Sequence, residues 1–146
     1  MEVTNSMKLE IPSRSVNEGF ARSAVACFVC HLDPTLDELE DLKAAVSEAV
    51  TNCIVHAYPD GIGIITVRAR LFSDNSVEIS IRDRGRGIED VAKAREPMFT
   101  TGGDDRSGMG FTIMESFTDT LSVRSRPGRG TCVTMRKRIS VRAGQR

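Results

Sequence analysis

Apolar and polar residues alternate in several short segments of the chain, which is the pattern of half-buried β-strands. The first segment ends at Pro12, a second pair is separated by Ser73-Asp74-Asn75, and a third pair flanks Pro127-Gly128-Arg129-Gly130. These intervening residues are turn formers. The alternation therefore predicts one strand followed by two hairpins. The apolar positions are Met7, Leu9 and Ile11; Ile65, Val67, Ala69 and Leu71; Val77, Ile79 and Ile81; and Leu121, Val123, Val133 and Met135.

Other segments have the period of about 3.6 residues that is typical of amphipathic helices. Ser15-x-x-Glu18 and Thr35-x-x-Glu38 are capping boxes, which mark helix starts. The first predicted helix ends at Asp33-Pro34 and the second near Tyr58. Shorter helices are predicted from Glu89 to Arg95 and from about Gly108. The predicted buried faces are Phe20, Ala24, Cys27, Phe28 and Leu32 in the first helix, and Leu36, Leu39, Leu42, Val46, Val50 and Cys53 in the second.

The order of these elements predicts an α+β fold, in which helices cover one face of a mixed, mostly antiparallel sheet. A length of 146 residues suits a single domain, here residues 1–146. No apolar run approaches the ~18 residues that a membrane helix needs, and the N-terminal residues do not resemble a signal peptide. A cytoplasmic location without membrane contact is expected.

The charge of the chain is balanced overall but unevenly distributed. The chain has 20 acidic and 20 basic residues, yet the segment from Arg124 to Arg146 holds eight basic residues and no acidic one. Such a segment could contact nucleic acid, lipid or an acidic protein surface. We favour a solvated edge strand whose charges oppose aggregation, because no aromatic residues are interleaved to stack on bases.

The four cysteines include one closely spaced pair, Cys27-x-x-Cys30. A structural zinc site needs a second pair of ligands, and neither Cys53 nor Cys132 has a partner at ligand spacing. We therefore interpret Cys27 and Cys30 as small buried core residues.

Glu48 and Asn52 are the most unusual residues of the second predicted helix. They lie one turn apart on the same helix face, among apolar neighbours. A carboxylate and an amide are costly to bury without partners, so the pair is expected to line a cavity. The carboxylate could activate a hydroxyl while the amide oxygen holds a metal. An exposed polar strip is the alternative interpretation.

Asp83 shares the alternation of Val77, Ile79 and Ile81, so it is predicted to point toward the helix-covered face. An inward carboxylate at a strand end needs a donor, such as the amino group of a ligand. Gly85 and Gly87 would let the backbone approach a flat ring. A simple Asp-Gly turn is the alternative, and the later acidic residues do not follow calcium-loop spacing.

Two further glycine-containing segments could approach a ligand. Ser107-Gly108-Met109-Gly110 opens a predicted helix, whose N-terminus would suit phosphate groups. Close helix packing would explain these glycines equally well. Thr131, after Gly130, shares the alternation of Val133 and Met135, so its hydroxyl should face the same layer as Asp83.

Taken in order, Glu48-x-x-x-Asn52, Asp83-x-Gly85-x-Gly87, Gly108-x-Gly110 and Gly130-Thr131 resemble the N, G1, G2 and G3 boxes of the GHKL ATPases. That superfamily includes gyrases, mismatch-repair ATPases, heat-shock chaperones, histidine kinases and anti-sigma serine kinases. The segments from Ser47 to Asn52 and from Arg106 to Glu115 look closest to the anti-sigma kinases of sporulating bacteria. The resemblance spans nearly the whole chain.

The resemblance implies a role for each matching residue. Asn52 would bind Mg²⁺, and Glu48 would be the base that acts on the acceptor hydroxyl. Asp83 would bind the amino group of adenine, in a pocket shaped by Gly85 and Gly87. The remaining residues implied to contact ATP, in the lid, at the phosphates or beside adenine, are Thr101, Arg106, Ser107, Gly108, Gly110 and Thr131.

The resemblance also implies a homodimeric serine/threonine kinase that sequesters a sigma factor and phosphorylates a serine of an anti-anti-sigma protein. Neither His31 nor His56 lies in a two-helix phosphoacceptor module, which argues against a complete histidine kinase. The other relatives need further domains that 146 residues would not hold. No direct nucleic-acid partner is expected. The alternative is a non-catalytic nucleotide-dependent binding module, which would not need Glu48 as a base.

Overall fold

The structure of the chain, a computed structural model, describes residues 1–96 and 109–141. Within them, helices pack on one face of a sheet, which confirms the predicted α+β class. No helix in these two ranges is long and apolar enough to cross a membrane. The strands are β1 (Val3–Pro12), β2 (Ile64–Phe72), β3 (Ser76–Asp83), β4 (Thr120–Arg126) and β5 (Gly130–Arg138), and the α-helices are α1 (Val16–Val29), α2 (Leu36–Asn52), α3 (Val91–Ala94) and α4 (Gly110–Phe117).

The strands form a sheet in the order β1-β2-β3-β5-β4. All four described pairings are antiparallel, where a mixed sheet was predicted. After β3 the chain passes through α3 and α4 and then forms the edge strand β4. It folds back as β5 between β4 and β3, so each strand runs opposite to its neighbours. The prediction that the basic segment near the C-terminus forms an edge strand was therefore wrong for β5, which is paired on both sides.

The alternation of β2 and β3 sets which side chains enter the core. Ile65, Val67 and Ala69 are fully buried, as are Ile79 and its neighbours of the same parity on β3. They pack beneath the buried face of α2, which is formed by Leu42, Ala45, Val46, Ala49 and Val50. Each of these larger aliphatic side chains contributes about 1.5–3 kcal/mol when it is removed from water.

Helix α1 buries a face that is only partly the predicted one: Phe28 and Leu32 pack against the core, but they are only partly buried. Its buried residues are Ala21, Val25, Ala26 and Val29. Phe20 is 53% exposed, and both Cys27 and Cys30 are exposed. The interpretation of these two cysteines as core residues was therefore wrong. Small side chains at Ala21 and Val25 allow close contact with α2, so this face is buried although the opposite one carries the larger residues.

The two predicted capping boxes differ in outcome. Ser15 has helical backbone angles and its side chain makes no capping hydrogen bond, so the first box was wrong. The backbone N–H of Glu18 donates to the carbonyl oxygen of Ser15 instead (3.2 Å), and the Glu18 carboxylate pairs with Arg22 at 3.4 Å. The carbonyl oxygen of Ser15 thus accepts from the N–H group that the Ser15 side chain would satisfy in a capping box.

The second capping box is present at the start of α2. The backbone N–H of Thr35 donates to Glu38 Oε1 (2.8 Å), and the backbone N–H of Glu38 donates to Thr35 Oγ1 (3.1 Å). Ser140 also donates to the Glu38 carboxylate from its backbone N–H (2.9 Å) and its hydroxyl (3.1 Å). Burial raises the pKa of Glu38, but these hydrogen bonds outweigh it and leave the pKa lowered. Glu38 thus joins α2 to the end of β5.

This difference between the two helix starts gives a matched stability test. Thr35→Ala removes an N-cap acceptor and is expected to lower the free energy of unfolding by about 1 kcal/mol. Ser15→Ala removes a hydroxyl that caps nothing, so a change within about 0.5 kcal/mol is expected. Urea unfolding of both variants measures the difference. Equal losses of stability would contradict the assigned caps.

Candidate nucleotide site

A cavity of about 740 Å³ lies between the C-terminal end of α2 and the inner face of β3 and β5. This volume is in the range of small-molecule sites. Five residues predicted from the sequence line it: Asn52, Asp83, Gly87, Gly110 and Thr131. Residues that are far apart in the chain, but singled out by the sequence, therefore lie around one cavity.

Asp83 ends β3 and points into this cavity, as its alternation predicted. It is only 4% exposed, and its Oδ1 accepts hydrogen bonds from the backbone N–H groups of Gly85 (2.9 Å) and Thr131 (3.2 Å). Burial raises the pKa of Asp83, although these hydrogen bonds oppose the shift. Two backbone groups thus fix one carboxyl oxygen of a residue that lines the cavity.

The other oxygen of Asp83 is approached by Cys53. The Cys53 thiol donates to Asp83 Oδ2 at 3.5 Å, and burial raises the pKa of this thiol well above its usual value. A neutral S–H is a weak donor, and a carboxylate oxygen can accept more than one hydrogen bond. Asp83 Oδ2 is therefore able to accept a donor from a ligand in the cavity.

The glycines after Asp83 allow the chain to fold tightly around the cavity mouth. Gly85 lies against the backbone of Ala57, where a side chain would collide with the Ala57 carbonyl, and Arg86 N–H donates to that oxygen at 3.1 Å. Gly87 has φ of 76° and lies against the Arg126 carbonyl. A left-handed backbone without room for Cβ requires glycine.

Glu48 and Asn52 lie together beside the start of α4. A Cβ atom built on Gly110 would lie 3.2 Å from Glu48 Oε2 and 3.4 Å from the side-chain amide of Asn52. Both side chains are half-buried, but only Asn52 of the two is among the residues that line the cavity, so the prediction that both line it is confirmed for Asn52 alone. The arrangement therefore places a carboxylate, an amide oxygen and a helix N-terminus within one small region at the end of α2.

Thr131 is held in place by the turn that precedes β5. Its hydroxyl lies 2.7 Å from the hydroxyl of Ser125, which also donates to the carbonyl of Gly130 (3.0 Å) and accepts from the Ile88 N–H (2.7 Å). These hydrogen bonds tie the loop after Gly87 to the β4–β5 hairpin. Both sides of the cavity mouth are thereby linked.

The end of α2 changes form where it meets the cavity. After Asn52 the chain makes a π-helical turn, Cys53–Ala57, which the sequence analysis treated as continuing α-helix. His56 lies in this turn and lines the cavity, a position that no sequence pattern predicted. π-Helical turns often occur at functional sites because they redirect side chains.

Two cationic residues at the cavity were also missed by the sequence analysis. Arg86 and Lys93 line it together with the acidic Glu89 and Asp90. Arg86 lies between the two glycines, and Lys93 is in the short helix α3, so their position in the glycine-rich segment was the available signal. Positive side chains here suit a ligand that carries phosphate groups.

Four predicted ATP-contacting residues lie outside the described residues: Thr101, Arg106, Ser107 and Gly108. Within residues 1–96 and 109–141, no group of three or more His, Cys, Asp or Glu side chains could hold a metal ion. A single amide oxygen at Asn52 nevertheless fits Mg²⁺, which usually takes one or two protein ligands and completes its shell with water and substrate phosphates. The donor set thus suits a cation that arrives with a nucleotide.

The chain is similar to known ATP-binding and regulatory proteins. Residues 11–137 match the family model described as histidine kinase-like ATPase domain. A protein named anti-sigma F factor from Caldanaerobacter subterraneus subsp. tengcongensis is 56% identical over 140 residues, which cover 95% of this chain and 97% of that protein. The anti-sigma F factor of Clostridium acetobutylicum is 48% identical over 138 residues, covering 94% of this chain and 96% of that protein.

A solved structure shares the fold. The structure of the RsbU and RsbW domains of Rv1364c from Mycobacterium tuberculosis superposes with a TM-score of 0.71 at 20% identity. The superposition covers 96% of this chain and 34% of that one, so the chain spans about a third of that structure. At this identity the likeness concerns the fold alone.

Proposed function

The chain belongs to the anti-sigma F factors, within the histidine kinase-like ATPase domains, and we propose that it sequesters a sigma factor and phosphorylates an anti-anti-sigma protein. The fold implies ATP binding and an activity of the kinase type. The proposal adds that the acceptor is a serine of the anti-anti-sigma protein, that Mg²⁺ accompanies ATP, and that the protein acts as a cytoplasmic homodimer.

The observation that carries the proposal is the buried carboxylate of Asp83 at the inner wall of the cavity. Its Oδ1 accepts from two backbone N–H groups, while Oδ2 accepts from the weak donor Cys53, and the residue lines the cavity. A ring amino group is the donor that such an oxygen selects, since a ring carbonyl at the same place would be repelled. Asp83 thus favours adenine, and Thr131 lies next to it.

The same cavity is lined by groups that phosphoryl transfer requires. The N-terminus of α4 at Gly110 offers backbone N–H groups with positive potential, which suits phosphates. Asn52 would hold Mg²⁺, whose charge neutralises the developing negative charge on the transferred phosphoryl group. Arg86 and Lys93 also line the cavity, beside Glu89 and Asp90. Binding of adenine at Asp83 would hold the nucleotide in one orientation relative to these groups.

Glu48 is proposed to act on the acceptor. Its carboxylate lies beside Asn52 and Gly110, where it can accept the proton of a serine hydroxyl and orient the hydroxyl oxygen toward the phosphoryl group. Transfer of a phosphoryl group depends mostly on position and electrostatics, so a fixed base adds to rate by alignment as well as by proton removal. The implied lid residues Thr101, Arg106, Ser107 and Gly108 remain part of the proposal.

A direct test uses ATP labelled at the γ-phosphate and candidate anti-anti-sigma proteins from the same genome. We expect the label to appear on one of them, and to be absent when its acceptor serine is replaced by alanine. A sigma factor of that genome should co-elute with the protein in the presence of Mg²⁺ and ATP. Sigma-factor binding without transfer to any candidate would favour the non-catalytic binding module instead.

A further inference from the structure

The sheet face opposite the helices is uncovered in the described part of the chain. Its side chains are the alternate ones along each strand, such as Arg68 on β2, whose inward neighbours Val67 and Ala69 are buried. This outer face has two acidic residues, Glu10 and Glu78, and eight basic ones: Lys8, Arg68, Arg70, Arg82, Arg124, Arg126, Arg136 and Arg138. We name it the basic sheet face.

Part of this positive charge is already balanced. Arg70 and Arg136 both pair with Glu78, and their guanidinium groups lie over the ring of Phe72 at 5.2 and 4.6 Å. Lys8 pairs with Glu10 at 3.4 Å.

The exposed side chains of Arg68, Arg82 and Arg124 behave differently. Among the residues that the structure describes, these three have no ion-pair partner. The basic sheet face therefore combines ion-paired basic residues with exposed guanidinium groups whose charge no carboxylate of the described residues balances.

A groove lies beside Arg68 and Arg82 on this face. It has a volume of about 450 Å³ and is lined by the basic residues Lys8, Arg68, Arg82 and Arg84, by Glu10, which pairs with Lys8, and by Ile64, Thr66, Ser80 and Cys132. The strand register places Lys8 opposite Arg68, one strand spacing of about 4.8 Å apart. A chain segment lying across the strands would therefore meet basic side chains from neighbouring strands.

We propose that the basic sheet face docks an acidic segment of a partner protein. Charge complementarity selects such a segment, because three exposed guanidinium groups without partners are available to carboxylates. A protein ligand fits better than a nucleic acid because no exposed aromatic ring, on which bases could stack, lies among these basic residues within the described ranges. The site is separate from the nucleotide cavity, which opens on the inner face.

The test is binding of a fluorescent oligoglutamate peptide to the whole protein, followed by anisotropy. We expect salt-sensitive binding that Arg68→Glu/Arg82→Glu weakens by about tenfold or more. The matched control is Arg14→Glu/Lys43→Glu, which changes the charge equally on residues before α1 and on α2, and is expected to stay within about twofold. Unchanged binding of ATP by both double variants shows that the inner cavity and the fold persist.

Three outcomes would overturn the proposal. The first is oligoglutamate binding that is absent, or equally weakened by both double variants. The second is tighter binding of a DNA or RNA strand of equal charge, lost in Arg68→Glu/Arg82→Glu, which would identify a nucleic-acid surface. The third is concentration-dependent self-association that this variant abolishes, which would identify a second copy as the occupant. Failure of phosphotransfer leaves the peptide measurement unaffected, so the two proposals fail separately.

Discussion

Replacing Glu48 with glutamine is expected to slow phosphotransfer to the anti-anti-sigma protein by about 10²–10⁴-fold, the usual contribution of a general base. The substitution keeps the size of the side chain and its place beside Gly110, but removes the oxygen that would accept the hydroxyl proton. Binding of Mg²⁺-ATP and of the sigma factor should persist, because other residues carry them. Single-turnover transfer measured beside equilibrium nucleotide binding separates these effects.

Asn52→Ala provides the comparison for this variant. It lies one turn away on α2, but is proposed to hold the cation, so its loss should weaken nucleotide binding specifically when Mg²⁺ is present. With EDTA, the variant and the unmodified protein should bind nucleotide similarly. Transfer by Glu48→Gln within a few-fold of the unmodified rate would remove Glu48 from the base role. It would also strengthen the case for a binding module.

Replacing Asp83 with asparagine is expected to weaken ATP binding by about 10- to 100-fold, the equivalent of one hydrogen bond to a charged group. Asparagine has nearly the same shape, and its oxygen can still accept from Gly85 and Thr131. Its NH₂ group would then face the cavity where a donor is expected from adenine, so two donors would meet. Calorimetric titration measures the loss, and circular dichroism checks that the fold is retained.

The pH dependence of binding gives an internal control for Asp83. Burial raises the pKa of this carboxyl, so it becomes protonated at a higher pH than an ordinary aspartate. The ionised form accepts the ring amino group, so ATP affinity should be full above this pKa and fall as the pH drops through it. Asp83→Asn should lack that component. Equal affinity of both proteins across the range would contradict the anchor role.

The strands and the position of Asp83 could be predicted because successive side chains of a strand point to opposite faces of the sheet. An apolar alternate set therefore identifies the face that lies toward the core. Once Val77, Ile79 and Ile81 face the core, the parity of Asp83 is fixed, and the register confirms that it lies opposite the buried Ile65. The same logic placed Thr131 on the inner layer. Short turns with strong turn formers made both hairpins predictable as well.

Helix α1 could not be predicted as well, because apolar residues surround it. The sequence offers one face with Phe20 and Cys27 and another with Ala21 and Val25, and hydrophobicity favours the first. The second face is the buried one, because its small residues allow α1 to pack closely against α2. Such a choice depends on a partner surface that the local sequence does not contain.

Site residues could be predicted where a polar side chain stands out among apolar neighbours. They were missed where the conformation of the backbone brings a side chain to the cavity. Asn52 stood out as an amide in an apolar helix, and the structure places it at the cavity. His56 was not predicted to line the cavity, because nothing in the sequence signals the π-helical turn that carries it. Lys93 was overlooked because a charged residue in a short helix usually faces solvent.

The strand order has a consequence for how the chain folds during synthesis. Strands β1, β2 and β3 pair with neighbours that have already been made by the time β3 is complete, but the second edge of β3 pairs only with β5. Until Arg138 has left the ribosome, that edge has no strand beside it. Unpaired edges of this kind are templates for aggregation. The nascent chain therefore exposes one edge of β3 from the synthesis of Asp83 until that of Arg138, and pairing of β5 completes the sheet.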